Sequence, residues 1–286
     1  MTQSDLSAGA QAGARLPPRT RRLAAPSAPA PEPATGAPGV CVRGAHLAFD
    51  TVQLFDRLDL DLAGGAITCL LGPSGVGKTS LLRLIAGLAD SAGGQVGDDR
   101  GQPLNGRIAY MAQQDLLLPW LSARANVLLG PRLRGDTVTS AMRARADALL
   151  RRAGLADAAE ARPAALSGGM RQRVALARTL MEDRPIVLMD EPFAGLDAIT
   201  RHDLQALAAG LLARRTVLLV THDPLEALRL GHRIRVLAGR PARLDDSVGA
   251  PPGDPPRPAE QVADRQGALL DRLAAAKRAQ REAGDA

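Results

Sequence analysis

Ile67-Thr68-Cys69-Leu70-Leu71-Gly72-Pro73-Ser74-Gly75-Val76-Gly77-Lys78-Thr79-Ser80 is the stretch that decides how this chain reads. Its first five residues form a largely apolar run, as expected of a strand buried on both faces. A glycine-rich loop follows, and Leu81, Leu82, Leu84, Ile85 and Leu88 then recur at helical spacing. Gly72, Gly77, Lys78 and Thr79 fit G-x-x-x-x-G-K-[ST] between a strand and a helix, the setting this pattern requires. Glycines let successive N–H groups turn inward around a phosphate, and the loop opens onto a helix N-terminus, which attracts anions. Lys78 offers a point charge to β- and γ-phosphates, and Thr79 offers a hydroxyl to Mg²⁺. The bland alternative is a glycine turn beside a surface lysine. It fits poorly in a chain whose only lysines are Lys78 and Lys277. Residues 72–80 are therefore expected to bind a nucleotide.

Composition sets wider bounds. A chain of 286 residues suits one large domain or two small ones. Hydrophobic residues reach 45% but aromatics only 2%, so the core must be Leu, Val, Ile and Ala. A net charge of +6 raises the question of nucleic acid. The excess is spread thinly and no basic helix interleaves with aromatics, so no nucleic-acid partner is expected. Cys41 and Cys69 lie in apolar strand-like runs and read as buried and reduced. No apolar run approaches the roughly 18 residues of a membrane helix, and the N-terminus lacks the apolar centre of a secretory signal. A cytosolic protein, held at a membrane only through a partner, is the expectation.

Residues 1–39 are rich in Ala, Pro, Ser and Arg and read as a disordered tail. Val40, Val42, Leu47, Phe49, Leu58, Leu60 and Leu62 alternate, which argues half-buried antiparallel strands. After residues 67–71 and a helix to about Leu88, Gly93-Gly94 breaks the chain. Residues 107–112 read as another strand. Helices are predicted from Ser122 to about Leu129, over 137–152 with Gly154 as the stop, and from Ser167 to about Glu182. Strands then alternate with helices: 186–189, 197–213, 216–220, 224–230 and 234–237. Apolar strands alternating with helices predict an α/β fold whose parallel sheet is covered on both faces. The section from about 113 to 183 reads as an inserted helical subdomain. Residues 249–258 are a proline-rich linker, and 259–283 a polar surface helix with Leu269, Leu270 and Leu273 as its apolar contacts.

Two later stretches carry chemistry. Ile186-Val187-Leu188-Met189-Asp190-Glu191 is an apolar strand ending in two acids. Ligands of parallel sheets sit at the carboxyl ends of strands. Asp190 would therefore meet Mg²⁺ beside Thr79, and Glu191 could polarise an attacking water. Alone, two such acids could be a solvated strand end; the phosphate loop makes the catalytic reading the stronger. Leu166-Ser167-Gly168-Gly169-Met170-Arg171 opens a helix with Ser167 and two glycines, a second anion cradle by the same physics. One phosphate loop already serves one nucleotide, so a second cradle needs a second user.

Together these pieces resemble the ATP-binding subunit of an ABC transporter. Residues 72–79 match its Walker A loop. Leu166-Ser167-Gly168-Gly169-Met170 resembles the signature LSGGQ, with methionine in the last place. Residues 187–191 are similar to Walker B plus the catalytic glutamate. Phe193-Ala194-Gly195-Leu196-Asp197 resembles the D-loop, and Val220-Thr221-His222-Asp223 the switch-histidine loop. Gln113 falls at the Q-loop glutamine, its spacing to Leu118-Pro119-Trp120 favouring it over Gln114. Phe49 falls where an aromatic stacks on adenine, with Phe55 as its competitor. The likeness covers about residues 40 to 240.

The resemblance implies a P-loop NTPase core with a mixed sheet, an antiparallel β subdomain and the helical insert, within an ATPase domain of residues 40–248. It implies ATP and Mg²⁺ as ligands, with Thr79, Gln113 and Asp190 at the metal and Lys78, Glu191 and His222 catalytic. It also implies a head-to-tail dimer, or a paired ATP-binding subunit. Each ATP would lie between the Walker A loop of one copy and Ser167, Gly168, Gly169 and Met170 of the other. The expected partners are permease subunits in the membrane and a periplasmic or surface substrate-binding protein, with the chain at the cytoplasmic face. The L-L-P-W run at 117–120 resembles importers of nitrate, sulfonates and taurine; residues 110–120 together with 166–201 look most like the pyrimidine (thiamine-precursor) branch of that group. An export motor, or an ABC-type ATPase unconnected with transport, is the alternative.

Overall fold

The computed structural model describes residues 36–49, 52–89, 93–245 and 249–282. Most of the expected tail, residues 1–35, lies outside them.

The alternating segment forms β1 (Val40–Phe49) and β2 (Val52–Leu62), paired antiparallel. After β3 (Ile67–Leu71) and α1 (Lys78–Ile85) comes β4 (Gly93–Asp98), which adds to the other side of β1. The sequence reading makes Gly93-Gly94 a break; here the pair begins a strand. That strand, Gly-Gly-Gln-Val-Gly-Asp, carries one apolar side chain, so periodicity had nothing to register.

Beyond β5 (Ile108–Met111) lie α2 (Ala123–Val127), α3 (Leu129–Leu133), α4 (Ser140–Arg152) and α5 (Gly168–Met181). Ser122, Thr139 and Ser167 each cap a helix by accepting the N–H three residues on. The helix expected from Ser122 to about Leu129 is two short ones. Pro131 has no N–H to give and its ring crowds the carbonyl four residues back, so a single straight helix cannot run through it. The chain continues through β6 (Ile186–Asp190), α6 (Ala198–Leu212), β7 (Thr216–Val220), α7 (Pro224–Leu230) and β8 (Arg233–Ala238). It closes with β9 (Arg243–Asp245), three residues too short to announce themselves, and α8 (Ala259–Glu282).

The central sheet has the order β5-β6-β7-β3-β8-β9. Its first five strands are parallel and β9 is an antiparallel edge. Alternate residues of each strand feed opposite cores. Cys69, Leu71, Val187, Met189, Val217 and Leu219 join the core that holds α5, α6 and α7. Leu70, Leu188, Leu218 and Val220 join α1 and the antiparallel sheet. Of the two cysteines, both free, Cys69 is buried as expected but Cys41 is only half-buried, because β1 turns it toward Asp61 at the sheet surface.

The C-terminal helix corrects the sequence reading. It is docked on its own domain: Val262, Leu269 and Ala276 are buried in the core that holds α7, and α8 packs along α7 and β8. Leu270 stays 47% exposed. The spacing Val262, Leu269, Ala276 is a seven-residue repeat, whose valine and alanine carry a weaker signal than the Leu269-Leu270-Leu273 cluster. Arg257 locks the helix entry by donating to the carbonyls of Leu228, Gly231 and Pro252. Leu269→Ala should therefore destabilise the protein by about 2–5 kcal/mol, whereas Leu270→Ala should change it by about 0.5 kcal/mol or less. Thermal denaturation of the two variants side by side checks this.

Candidate nucleotide site

The parallel register brings the carboxyl ends of β5, β6, β7 and β3 to one edge, and each expected site loop leaves from one of them. After β3 the chain turns sharply at Gly72, whose φ of +154° and position leave no room for a side chain: a Cβ would sit 2.4 Å from the Leu237 carbonyl. The loop is seated by buried Val76 and ends on α1. Lys78 begins that helix and is 7% exposed. Its Nζ donates to the carbonyls of Gly72 at 2.8 Å and Pro73 at 2.9 Å, folding the charge back over the loop. Burial holds its pKa below the usual lysine value, opposed by Glu191 and Asp190.

The Thr79 hydroxyl donates to Asp190 Oδ1 at 3.2 Å, joining α1 to the end of β6. Asp190 is buried, and that burial raises its pKa, with Glu191 adding and the Thr79 hydrogen bond opposing. Tyr110 and Arg83 also interact with Asp190. Neither is legible as a site residue in the sequence, since a strand tyrosine and a helix arginine carry no motif. A hydroxyl beside a desolvated carboxylate suits Mg²⁺, which typically takes one or two protein ligands and fills its shell with phosphate oxygens and water. Among the described residues no group of three acidic, histidine or cysteine side chains would hold a metal by itself.

Glu191 adopts a positive φ of 45°, unusual for a residue with a side chain. Such strain persists only where surroundings enforce it, and here the turn swings the carboxylate out over the sheet edge. Glu191 Oε2 accepts from Gln113 Nε2 at 3.3 Å and meets His222 Nδ1 at 3.1 Å. Gln113 and His222, from two separate motifs, thus converge on one oxygen of a third, Glu191. Gln113 is exposed, consistent with its place after β5, and Gln114 shares no such contact.

The Q-loop is held by the signature helix. Arg171 Nε donates to Asp115 Oδ2 at 3.0 Å, and Arg178 donates to the carbonyls of Asp115 and Leu116. Leu116 and Trp120 are 57% and 66% exposed, so the lone tryptophan is not a core residue. Gln172, on the same helix, donates to the Pro192 carbonyl at 2.6 Å, tying α5 to the turn after Glu191. On the other flank, Arg201 Nη2 donates to the Leu196 carbonyl at 2.8 Å and Nη1 lies 3.7 Å from Asp223 Oδ2, linking the D-loop to the switch-histidine loop.

Ser167 and Gly168 are exposed, while none of the hydrogen bonds among the described residues joins Ser167, Gly168, Gly169 or Met170 to the phosphate loop of the same chain. Ser167 Oγ accepts the Met170 N–H at 3.2 Å. A Cβ on Gly169 would come within 2.4 Å of Thr200 Cγ2, so this glycine also serves close packing of α5 on α6. The Met170 side chain packs against the core. Phe55 is fully buried, its ring 3.0 Å from where a Cβ on Gly77 would lie, which fits its reading as an apolar strand contact. The side chain of Phe49 lies outside the described residues.

A glycine-rich loop between β3 and α1, two acids ending β6 two strands away, and a serine-glycine turn opening α5 are together the arrangement of an ATP-binding cassette. The chain belongs to the ABC transporter ATP-binding proteins, and is thus a nucleotide-binding ATPase: the ABC transporter family profile matches residues 55–194, and relatives align over most of its length. An uncharacterised ABC transporter ATP-binding protein of Haemophilus influenzae is 44% identical over 78% of this chain and 92% of its own. Taurine import ATP-binding protein TauB of Jannaschia sp. is 40% identical over 76% and 84%. Aliphatic sulfonates import ATP-binding protein SsuB 1 of Pseudomonas syringae is 40% identical over 82% and 92%. Among solved structures, a dimeric ATP-binding cassette in a post-hydrolysis state, bound to ADP and Pi, superposes with a TM-score of 0.64 at 30% identity over 72% of this chain and 96% of that one.

Beneath the switch loop, Glu226 is 4% exposed. Burial pushes its pKa up to about 8, with Asp223 adding and Thr221, Gln205 and Arg201 opposing. The folded carboxyl therefore keeps a proton that the unfolded chain, with an ordinary value of 4.5, releases. Its contribution is complete below the unfolded value and is lost as pH rises through the folded one. Glu226→Gln, neutral throughout, should gain thermal stability over the unsubstituted protein steadily from about pH 5 to about pH 8. Melting temperatures measured across that range test it; a constant difference would contradict the assignment.

Proposed function

We propose that this chain is the ATP-hydrolysing subunit of an importer for a small organic anion of the taurine or alkanesulfonate class. It works as a head-to-tail dimer on the cytoplasmic side of a membrane permease. The observation that carries the catalytic part is the meeting of Gln113 and His222 on Glu191 Oε2. The names of the taurine and sulfonate import relatives support the direction and the cargo class. A periplasmic or surface binding protein would deliver that cargo to the permease.

In this reading Lys78 exchanges the Gly72 and Pro73 carbonyls for β- and γ-phosphate oxygens, while N–H groups of residues 72–80 wrap the phosphates. Phe49 stacks on adenine. Thr79, Asp190 and Gln113 would hold Mg²⁺, which would supply charge neutralisation for the phosphates. Glu191 orients the attacking water and accepts its proton. His222, released from Glu191, donates to the γ-phosphate. Ser167, Gly168, Gly169 and the N-terminal turn reaching Met170 close on the nucleotide of the second copy, an anion site at a helix N-terminus. A dimeric post-hydrolysis cassette among the structural relatives supports such a pairing. The exposed Leu116 and Trp120, on a loop clamped by Arg171 and Arg178, are the permease contact, so that rotation of the signature helix is passed to the membrane.

Glu191→Gln should bind ATP, lose about 10²-fold or more in turnover and elute as a dimer with ATP present. Lys78→Ala should lose ATP binding and turnover and stay monomeric in ATP. A Glu191→Gln protein that stays monomeric in ATP would contradict the paired site. Trp120→Ala should keep the ATPase rate of the isolated chain and lose its stimulation by permease and cargo in proteoliposomes.

A further inference from the structure

We propose that the cavity between α4 and the turn from α6 into β7 binds a small organic anion, one with a single anionic head and a short aliphatic tail. The cavity has a volume of about 210 Å³. Three arginines line it: Arg145 and Arg152 from α4, and Arg215 in the turn just before β7. Leu149 of α4, Leu180 of α5 and Leu211 of α6 supply its apolar lining. None of these residues belongs to the nucleotide site.

Two of the guanidiniums are held in place. Arg145 donates through Nη1 to Asp183 Oδ2 at 2.7 Å and through Nη2 to the Leu180 carbonyl at 3.2 Å. Arg215 donates through Nη2 to Asp183 Oδ1 at 3.1 Å and through Nη1 to the Arg184 carbonyl at 2.5 Å. Asp183 stays ionised, its carboxyl lowered to about 2 chiefly by the Arg145 hydrogen bond. It balances one of three positive charges. Arg152 makes no hydrogen bond or ion pair among the described residues and is exposed, a free arm at the rim.

Fixed forks with spare N–H donors suit a carboxylate or sulfonate head, which guanidinium recognises through paired hydrogen bonds. The leucine wall suits a few methylene groups and offers nothing to a fully hydrated inorganic ion. Asp183 lies in the link from α5 to β6, so an occupant would join the helical layer to the sheet-bearing core across that link.

Titration calorimetry of the full chain without nucleotide tests the site, using sodium butanesulfonate as the probe and sodium sulfate at equal ionic strength as the comparison. Saturable binding of one butanesulfonate per chain is expected, with sulfate at least about tenfold weaker. Arg152→Gln should weaken butanesulfonate by about tenfold, the loss of one charge-assisted hydrogen bond. Ala148→Glu, which places a carboxylate in the cavity, should abolish it. Both variants should keep the unsubstituted affinity for ATP. No saturable heat up to millimolar probe, sulfate binding as tightly as butanesulfonate, or affinity unmoved by both substitutions would overturn the proposal.

Discussion

Everything at the nucleotide site depends on the shared direction of β5, β6, β7 and β3. Parallel pairing delivers the carboxyl end of each strand to the same edge, so loops far apart in the chain become neighbours. Gln113, Glu191, His222 and Lys78 each follow a different one of these strands by a few residues. A slip of one position in any pairing would exchange the faces of that strand and carry its side chains into the wrong core. The two cores, each fed by alternate residues, therefore fix the site geometry as much as the site residues do.

The loops add what the sheet cannot. Gly72 passes under the Leu237 carbonyl where any side chain would collide, and Glu191 is forced into a left-handed turn. Lys78 and Asp190 both sit where burial disfavours their charge, so a bound nucleotide would favour the one and a bound cation the other. Arginines act as ties between the moving parts. Arg171 and Arg178 bind the Q-loop to the signature helix, and Arg201 spans the D-loop and the switch loop. Under the proposed function, these ties are the route from a nucleotide contact to the exposed Trp120.

Much of this was legible from residues alone. The phosphate loop, the acids after residues 186–189 and the α/β alternation are carried by strong local patterns, apolar runs, glycines and acids at fixed spacing. What stayed hidden had no such pattern. β4 presents glycines instead of alternating apolar residues, and β9 is three residues long. The docking of α8 relies on Val262 and Ala276, which a polar helix full of alanine conceals. Tyr110 and Arg83 reach Asp190 only through the fold. Gly169 reads in the sequence as part of an anion cradle; Thr200 fills the space a Cβ there would take, a packing reason that spacing could not supply.

The proposed pairing gives the signature turn a partner outside its own polypeptide, and Ser167 and Gly168 face solvent. A bismaleimide cross-link between Ser167→Cys on one copy and Ser74→Cys on another, with Cys41 replaced by serine and Glu191→Gln to retain ATP, tests the pairing directly. A covalent dimer that forms with ATP, and only when both cysteines are present, is the predicted result. Cross-linking that is indifferent to ATP, or that never joins two chains while ATP is bound, would contradict the account.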